Sequence, residues 1–529
     1  MDAKVIHVAK FGQIAGFLTA AVLVVLPASA GANTTTTAPA PKSKSKSNSS
    51  ANVLAKSKLP PVITLARQRL SSDIDRISRA PHLRRGKTAV YIVDAKSGEQ
   101  LYGVHEHEGM NPASNVKLVA TATALDVLGP KWTYQTSVYG PTPDQDGVVK
   151  GDLYLYGDHD GSLTPSAVEG LAQRVAASGI KRIEGNVLFG SGNRDAIAWP
   201  WTYINIQGGA TVNDPPIVSV YPKCDLVRVI VQAKTSWHRN AWAFTKRPRV
   251  VVDPDGRKRI EITVVGAIRV RRKQQLKRWI PMRSRYTASV LRTALMEWGV
   301  DVTGQAEQMS FEKYVRGSVL DHDFLPVELS SHTSAPLSQL VSKINKYSDN
   351  ILADKVTMAI GRKMFGGSAR LDKGTKAMSQ WLSKHTTEDT TPVVLDTGSG
   401  LSYKTRISAR QIVGTLRSAA GYDDTKPSKH TELFRKSLSV AGKDGTLRRR
   451  FRGTTVRGKL QGKTGTLSSV IALSGFLHGP NDRVLAFSIV TNGTRRHLRW
   501  GVRLNHDKIV HAMHRYLGSG SHVLAARSR

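Results

Sequence analysis

Pro112-Ala113-Ser114-Asn115-Val116-Lys117-Leu118-Val119-Ala120-Thr121-Ala122-Thr123-Ala124-Leu125-Asp126-Val127-Leu128-Gly129 carries a helical period and, at its start, a pair of chemically suggestive side chains. Val116, Val119, Ala120, Thr123, Ala124 and Val127 fall at i, i+3, i+4, i+7, i+8 and i+11, the pattern of one buried helix face. Gly129 ends that helix as a C′ residue. Ser114 and Lys117 stand three apart at the helix start, so both project from one side. In that arrangement a lysine amine can take the hydroxyl proton, and the unpaired N–H groups of the helix N-terminus can face an oxyanion. A helix N-cap would explain Ser114 by itself, and Ser43-x-x-Lys46 repeats the spacing elsewhere, so the motif is weak alone.

Working outward, Thr88–Asp94 reads as a strand, residues 96–99 as a turn and Gln100–Val104 as a return strand. Ile63, Leu65, Leu70, Ile74 and Ile77 are spaced for an amphipathic helix before them. At the other end, Val470–Leu477 and Val484–Thr491 read as strands, followed by a helix over residues 503–517. Helical texture also covers 287–298 and 337–360. Strands at both ends of a mostly helical segment predict an α/β unit whose sheet unites the two chain ends, with the middle inserted. That middle is strand-rich from Tyr134 onward, as in Gly151-Asp152-Leu153-Tyr154-Leu155-Tyr156-Gly157 and Val227-Arg228-Val229-Ile230-Val231. Residues 223–285 hold 18 Lys or Arg against Asp225, Asp253, Asp255 and Glu261, and the alternation Ile260-Glu261-Ile262-Thr263-Val264 marks strands there.

The 529 residues suggest two to four domains. With 77 Lys plus Arg against 40 Asp plus Glu, the net charge of +37 implies anionic surroundings or a strongly solvated surface. The N-terminus narrows this choice. Lys4 and Lys10 precede the apolar run Ile14–Leu26, and Ala28-Ser29-Ala30 follows it. The run is short for a span of ~20 residues and predicts a secretory signal peptide, cleaved after Ala30, with a retained anchor as the alternative. Export argues against nucleic acid as the partner. Residues 31–58, rich in Thr, Ser, Lys, Ala and Pro, read as a disordered linker. The single cysteine, Cys224, cannot form an intrachain disulfide and reads as a small buried residue rather than a reactive thiol.

Two further motifs come in order along the chain. Ser348 and Asn350, in Tyr347-Ser348-Asp349-Asn350, can face a cleft from a short loop, one relaying a proton and the other holding an amide. Ser191-Gly192-Asn193 fits the same pattern, and a turn would explain either. Gly462-Lys463-Thr464-Gly465-Thr466 heads a strand pair; Lys463 and Gly465 share a face, where the glycine lets a substrate backbone come close and the lysine can bind a carboxylate. A solvated edge-strand lysine is the plainer reading of that triplet alone. Together, Ser-x-x-Lys, Ser-x-Asn and Lys-Thr-Gly form the signature of penicillin-recognising serine enzymes.

From about Ala89 to Tyr516 the chain resembles the low-molecular-mass class C penicillin-binding proteins, the penicillin-binding protein 4 type of D-alanyl-D-alanine carboxypeptidase/endopeptidase. The resemblance is carried by the three motifs and by 151–155, Trp199-Pro200-Trp201, 346–354, Gly398-Ser399-Gly400-Leu401-Ser402 and Ala441-Gly442-Lys443-Asp444-Gly445-Thr446-Leu447. It implies a serine β-lactamase/DD-peptidase-like transpeptidase fold: an antiparallel sheet flanked by helices, a helical subdomain, and two strand-rich domains in the 234 residues between Ser114 and Ser348. The expected boundaries are 1–30 for the signal peptide, 31–58 for the linker, 59–135 with 330–520 for the peptidase, 136–329 for the insert and 521–529 for a flexible tail.

The resemblance also implies roles. Ser114 would attack a D-Ala–D-amino-acid carbonyl and Lys117 would act as base, its neutral form favoured by Lys463. Ser348 would protonate the leaving amine, and Asn350 would hold the substrate amide and Lys117. Lys463 and Thr464 would bind the terminal carboxylate, and the N–H groups of Ser114 and Thr466 would form the oxyanion hole. Peptidoglycan stem peptides and β-lactam antibiotics are the implied partners, and no metal or cofactor is needed. The implied location is the periplasm or the cell-wall space.

Two departures stand out. Thr202 and Tyr203 occupy the place after Trp199-Pro200-Trp201 where the family can carry an acid, and Tyr403 stands after Gly398–Ser402 where an arginine is frequent. Phenols for charges predict a looser pocket for the third stem residue, unless Lys404 or Arg406 takes over. The basic stretch 223–285 is expected to touch anionic glycan or wall polymer. A β-lactamase and a catalytically silent wall-binding protein remain the rivals; stable penicillin labelling separates the peptidase from both.

Overall fold

The computed structural model describes residues 61–157, 159–190, 199–320, 324–386, 389–423, 425 and 428–519. The expected signal peptide, linker and tail, and Ser191-Gly192-Asn193, lie outside these residues. Residues 1–64 and 65–529 form separate units; the former contributes only the first turn of a helix to the described residues, and every sheet belongs to the latter.

The sheet that unites the chain ends is built from β1 (Lys87–Asp94), β2 (Gln100–Val104), β3 (Ser439–Val440), β4 (Leu460–Leu467), β5 (Val470–His478) and β6 (Val484–Asn492). The order is β3-β4-β5-β6-β1-β2, antiparallel throughout. β5 and β6 are buried along almost their whole length because both sheet faces are covered. Their alternating side chains divide between two cores, as the period of two requires. Leu473, Leu477, Leu485, Phe487 and Ile489 meet α1 (Pro61–Ser78) through Leu70 and Ile74, and the terminal helix α8 (Arg499–Ser519) through Ile509, Met513 and Leu517. Ala472, Phe476, Ala486 and Val490 face the other way, into a helical group.

That group comprises α2 (Val116–Val127), α3 (Leu337–Tyr347), α4 (Asn350–Phe365), α5 (Leu371–His385), α6 (Ala409–Ala419) and α7 (Thr431–Ser437). α2 sits at its centre and is buried all round from Val116 to Leu125. The helical stretch expected over 337–360 is two helices, broken where Ser348 adopts a left-handed φ of 59° and Asp349 caps α4 through its bond from Leu352 N–H (3.0 Å). A short side chain tolerates that turn, and a carboxylate cap then restarts the helix.

Between α2 and α3 lies the strand-rich insert. The chain leaves along Gln135–Gly140 and returns along Val327–Thr333, and these two strands pair with each other. They belong to a five-stranded sheet with Leu153–Tyr156, Val187–Leu188 and Ala306–Glu307. In the basic stretch, the long strand Lys258–Arg269 pairs with Val227–Val231, Lys234–Ser236, Ala243–Thr245 and Arg249–Val252. A further sheet orders Lys273–Trp279, Trp201–Gln207 and Ile217–Tyr221. Cys224 is unbonded to another cysteine and partly exposed as a residue, and burial of its thiol pushes the pKa up to about 12, which disfavours the thiolate form. Among the described residues no helix is long and apolar enough to cross a membrane.

Candidate active site

Ser114 lies in a 3-10 turn, Ala113–Asn115, that leads directly into α2. It is not a helix N-cap in the structure: no side-chain capping bond is made at this start. The turn is held from three sides. Asn111 Oδ1 accepts the Ala113 N–H (2.9 Å), Asn111 Nδ2 donates to the Ser402 carbonyl (2.9 Å), and Asn111 and Asn492 exchange two bonds of 2.9 Å with the end of β6. Asn115 Nδ2 donates to Ser474 Oγ (2.7 Å), which donates on to Ser488 Oγ (2.9 Å), fastening the helix start to β5 and β6. Ala113 itself has φ 48°, a left-handed value unusual for a residue with a Cβ.

Two glycines let other segments reach this turn. A Cβ at Gly465 would stand 2.7 Å from the Pro112 carbonyl oxygen, and one at Gly400 (φ 77°) would stand 2.1 Å from that of Ala113. β4 and the loop 398–402 therefore approach the turn as backbone against backbone; the backbone that Gly465 admits here is the chain's own Pro112, not a substrate's.

Lys117 is fully buried. Its Nζ donates to Ser114 Oγ (3.1 Å), to Asn350 Oδ1 (2.7 Å) and to the Ser399 carbonyl. Desolvation lowers its pKa to about 7, against an upward pull from Asp354 and Asp349. Lys463, on β4, is equally buried, and its Nζ donates to the Thr464 carbonyl (3.1 Å). Burial holds it well below the ordinary lysine range, and the charge of nearby Lys117 adds to the effect. Two buried lysine amines thus lie near each other beside the partly exposed Ser114, and desolvation outweighs every attraction that would keep either amine charged.

The remaining expected residues divide. Asn350, 233 residues from Lys117 in sequence, meets it directly. Ser348 stands in the left-handed turn just before Asn350. Thr464 Oγ1 donates to Thr446 Oγ1 (2.9 Å) in the turn Gly445–Leu447, and Thr466 lies exposed on the same strand. β3 pairs only with Gln461 and Gly462, so it leaves Lys463–Leu467 unpaired on that side. Tyr403 comes to the rim, where its hydroxyl accepts the Ser468 N–H (3.2 Å) at the end of β4. Tyr203 does not join this cluster by any described contact; its hydroxyl accepts from Trp201 Nε1 (3.1 Å) and Lys277 lies 5.7 Å from its ring, all within the insert. Arg406 Nη1 donates to the Tyr403 and Thr405 carbonyls.

Some participants had no assigned role in the sequence. Asp354 accepts the Ser399 N–H (2.7 Å), which sets the Ser399 carbonyl against Lys117, and its own pKa is raised by burial. Asp354 and Ser399 lay inside stretches that carried the family resemblance, yet nothing in their spacing announced a contact across 45 residues. Asn111, next to the motif, and Asn492, at a strand end, had no signal.

Comparisons with known proteins agree with this architecture. The family model described as D-Ala-D-Ala carboxypeptidase 3 (S13) matches residues 70–511. A D-alanyl-D-alanine carboxypeptidase of an Actinomadura species is 31% identical over 462 residues, covering 80% of this chain and 81% of the relative. A second, DacB of Haemophilus influenzae, is 23% identical over 411 residues, 73% of this chain and 81% of the relative. Among solved structures, penicillin-binding protein 4 from Haemophilus influenzae, complexed with a β-lactam, superposes with a TM-score of 0.62 at 21% identity, over 80% of this chain and 93% of that one.

Proposed function

Because this chain belongs to the D-Ala-D-Ala carboxypeptidase 3 (S13) family and is a serine-type D-Ala-D-Ala carboxypeptidase, we propose that Ser114 is its nucleophile and Lys117 its general base. The observation that carries this reading is the Lys117 amine, buried, 3.1 Å from Ser114 Oγ and 2.7 Å from Asn350 Oδ1. With a pKa of about 7 it is largely neutral at slightly alkaline pH and can take the hydroxyl proton.

Ser114 Oγ then attacks the carbonyl of the penultimate D-alanine. The N–H groups of Ser114 and Thr466 receive the oxyanion. The proton passes through Ser348 to the leaving amine, the C–N bond breaks, and the terminal D-amino acid departs from the Ser114 ester. Water hydrolyses that ester and restores the serine. Lys463 and Thr464 bind the terminal carboxylate, and its charge favours the protonated form of Lys463 that burial disfavours. The unpaired side of Lys463–Leu467 supports a substrate lying along β4 as an added strand. Asn350 holds the substrate amide while keeping Lys117 in place.

The same chemistry extends to D-Ala–diaminopimelate cross-links and to acylation by β-lactams, so the reading includes endopeptidase action. Tyr403 at the rim supports a third-residue pocket with less charge selection. Tyr203, contacting only the insert, lends that pocket no support. The peptidase comprises 59–135 and 330–520 and the insert 136–329, with export through residues 1–30 to the periplasm or cell-wall space. The basic stretch 223–285 contacts anionic wall polymer. Digestion of purified sacculi with muropeptide analysis, wild type against Ser114→Ala, tests the reading. Loss of D-alanine release and of a stable penicillin label in the variant is expected. Rapid drug turnover by the wild type would point to a β-lactamase, and an unlabelled wild type to a silent binding protein.

A further inference from the structure

The insert presents an open sheet face whose chemistry differs from that of the cleft. In the sheet Lys273–Trp279, Trp201–Gln207 and Ile217–Tyr221, pairing is antiparallel with Trp201–Gln207 in the middle. Thr202, Ile204, Ile206, Gln274 and Leu276 point inward and are buried. The alternate residues point outward and line up in cross-strand rows. Trp279 stands opposite Trp201, then Lys277 opposite Tyr203 and Tyr221. Gln275, Asn205 and Ser219 form the next row, and Lys273, Gln207 and Ile217 close the set. None of these outward residues is acidic. At ~3.3 Å per residue the rows stand ~6.6 Å apart, and the face is about 20 Å long.

The side chains are ordered by one another. Trp201 and Trp279 meet edge to face at 5.7 Å, the Lys277 ammonium lies 3.3 Å from the Trp201 ring centre, and the Arg283 guanidinium lies 4.8 Å from that of Trp279. Gln275 Nε2 donates to Asn205 Oδ1 (2.8 Å). Yet Trp279 remains 57% exposed and Tyr221 40%. Exposed rings held in place by cations carry little ordering cost on binding. A lipid surface would call for a continuous apolar patch, which the amide row interrupts. Aromatic rings for the C–H faces of sugars, amides for hydroxyl and acetamido groups, and two lysines for carboxylates, with Glu169 as the acid felt at the Tyr221 edge, describe one occupant.

We propose that this face binds an N-acetylated glycan strand with free carboxylates, the sugar backbone of peptidoglycan where stem peptides have been removed, and so holds the enzyme on the polymer whose remaining stem peptides it cleaves. The inference rests on the peptidase reading and narrows the basic stretch's partner to a polysaccharide and its contact to one face. The test uses the full chain and peptide-free glycan strands released from sacculi by an amidase, titrated by tryptophan fluorescence and by co-sedimentation with the strands immobilised on beads. Trp279→Ala and Lys277→Gln should each weaken binding about tenfold, while hydrolysis of a small soluble D-Ala-D-Ala peptide stays at the wild-type rate. Wild-type affinity in both variants, or no binding by the wild type, overturns the proposal. So does displacement of the glycan by a single-stranded oligonucleotide of equal charge at equal concentration. Loss of glycan binding with penicillin labelling of Ser114 intact removes only this inference; an unlabelled Ser114 removes the peptidase reading beneath it.

Discussion

The cleft and the outer face of the insert both display lysine beside a hydroxyl or a ring, and they use it in opposite ways. Lys117 and Lys463 are stripped of water, and burial is the leading cause of their lowered pKa values. Lys277 is exposed and lies over the ring of Trp201, which is itself partly exposed. A desolvated amine becomes a base, whereas a solvated one stays a cation that attracts. What separates the lysine proposed as base from the lysine proposed to bind is therefore the wall around it, not the residue or its neighbours in sequence.

The sharpest way to break this contrast is to remove the buried amine. Lys117→Met should lower the rate of penicillin acylation by about a thousandfold or more, measured by stopped-flow with a fluorescent penicillin, because base and nucleophile act as one unit. Retention of wild-type rates would mean that another group deprotonates Ser114. Next, Gly465→Ala should cost about a hundredfold in kcat/KM, since its Cβ would press on the Pro112 carbonyl and shift the nucleophile turn. A crystal structure of the variant with the turn unmoved would contradict that account.

The pH dependence sharpens the comparison. With Lys117 as the proposed base, the acylation rate should rise with pH through about 7 and level off above it. Asp354 pulls the Lys117 pKa upward, so Asp354→Asn should move this limb to lower pH, read from the acylation profile. A shift to higher pH would reverse the assigned sign. The smallest effect belongs to the insert: Trp279→Ala should change thermal stability by less than about 0.5 kcal/mol, because the ring is mostly solvated. A large drop in Tm would make Trp279 part of the core instead of a surface ring.

Much of the fold was legible because its signals are local. The apolar runs at 470–477 and 484–491 are strands, and the 3.6-residue period after Ser114 is a helix. The break at Ser348 was less legible, since a period continuing across two helices hides a single left-handed residue. The site was legible as three motifs in order. Its supporting residues were not: Asp354 and Asn492 act through contacts that no spacing rule connects to Ser114.

By itself the sequence pointed to the main elements, the fold family and the candidate reacting groups, since periodicity and motif order are properties of the chain read locally. Only the tertiary structure decided that both amines are buried, which carbonyl Lys117 meets, and that Tyr203 sits with Lys277 and Trp201 on the insert sheet. The reason is physical: desolvation and cross-strand register depend on residues brought together from distant parts of the chain, and neither is encoded in any one stretch.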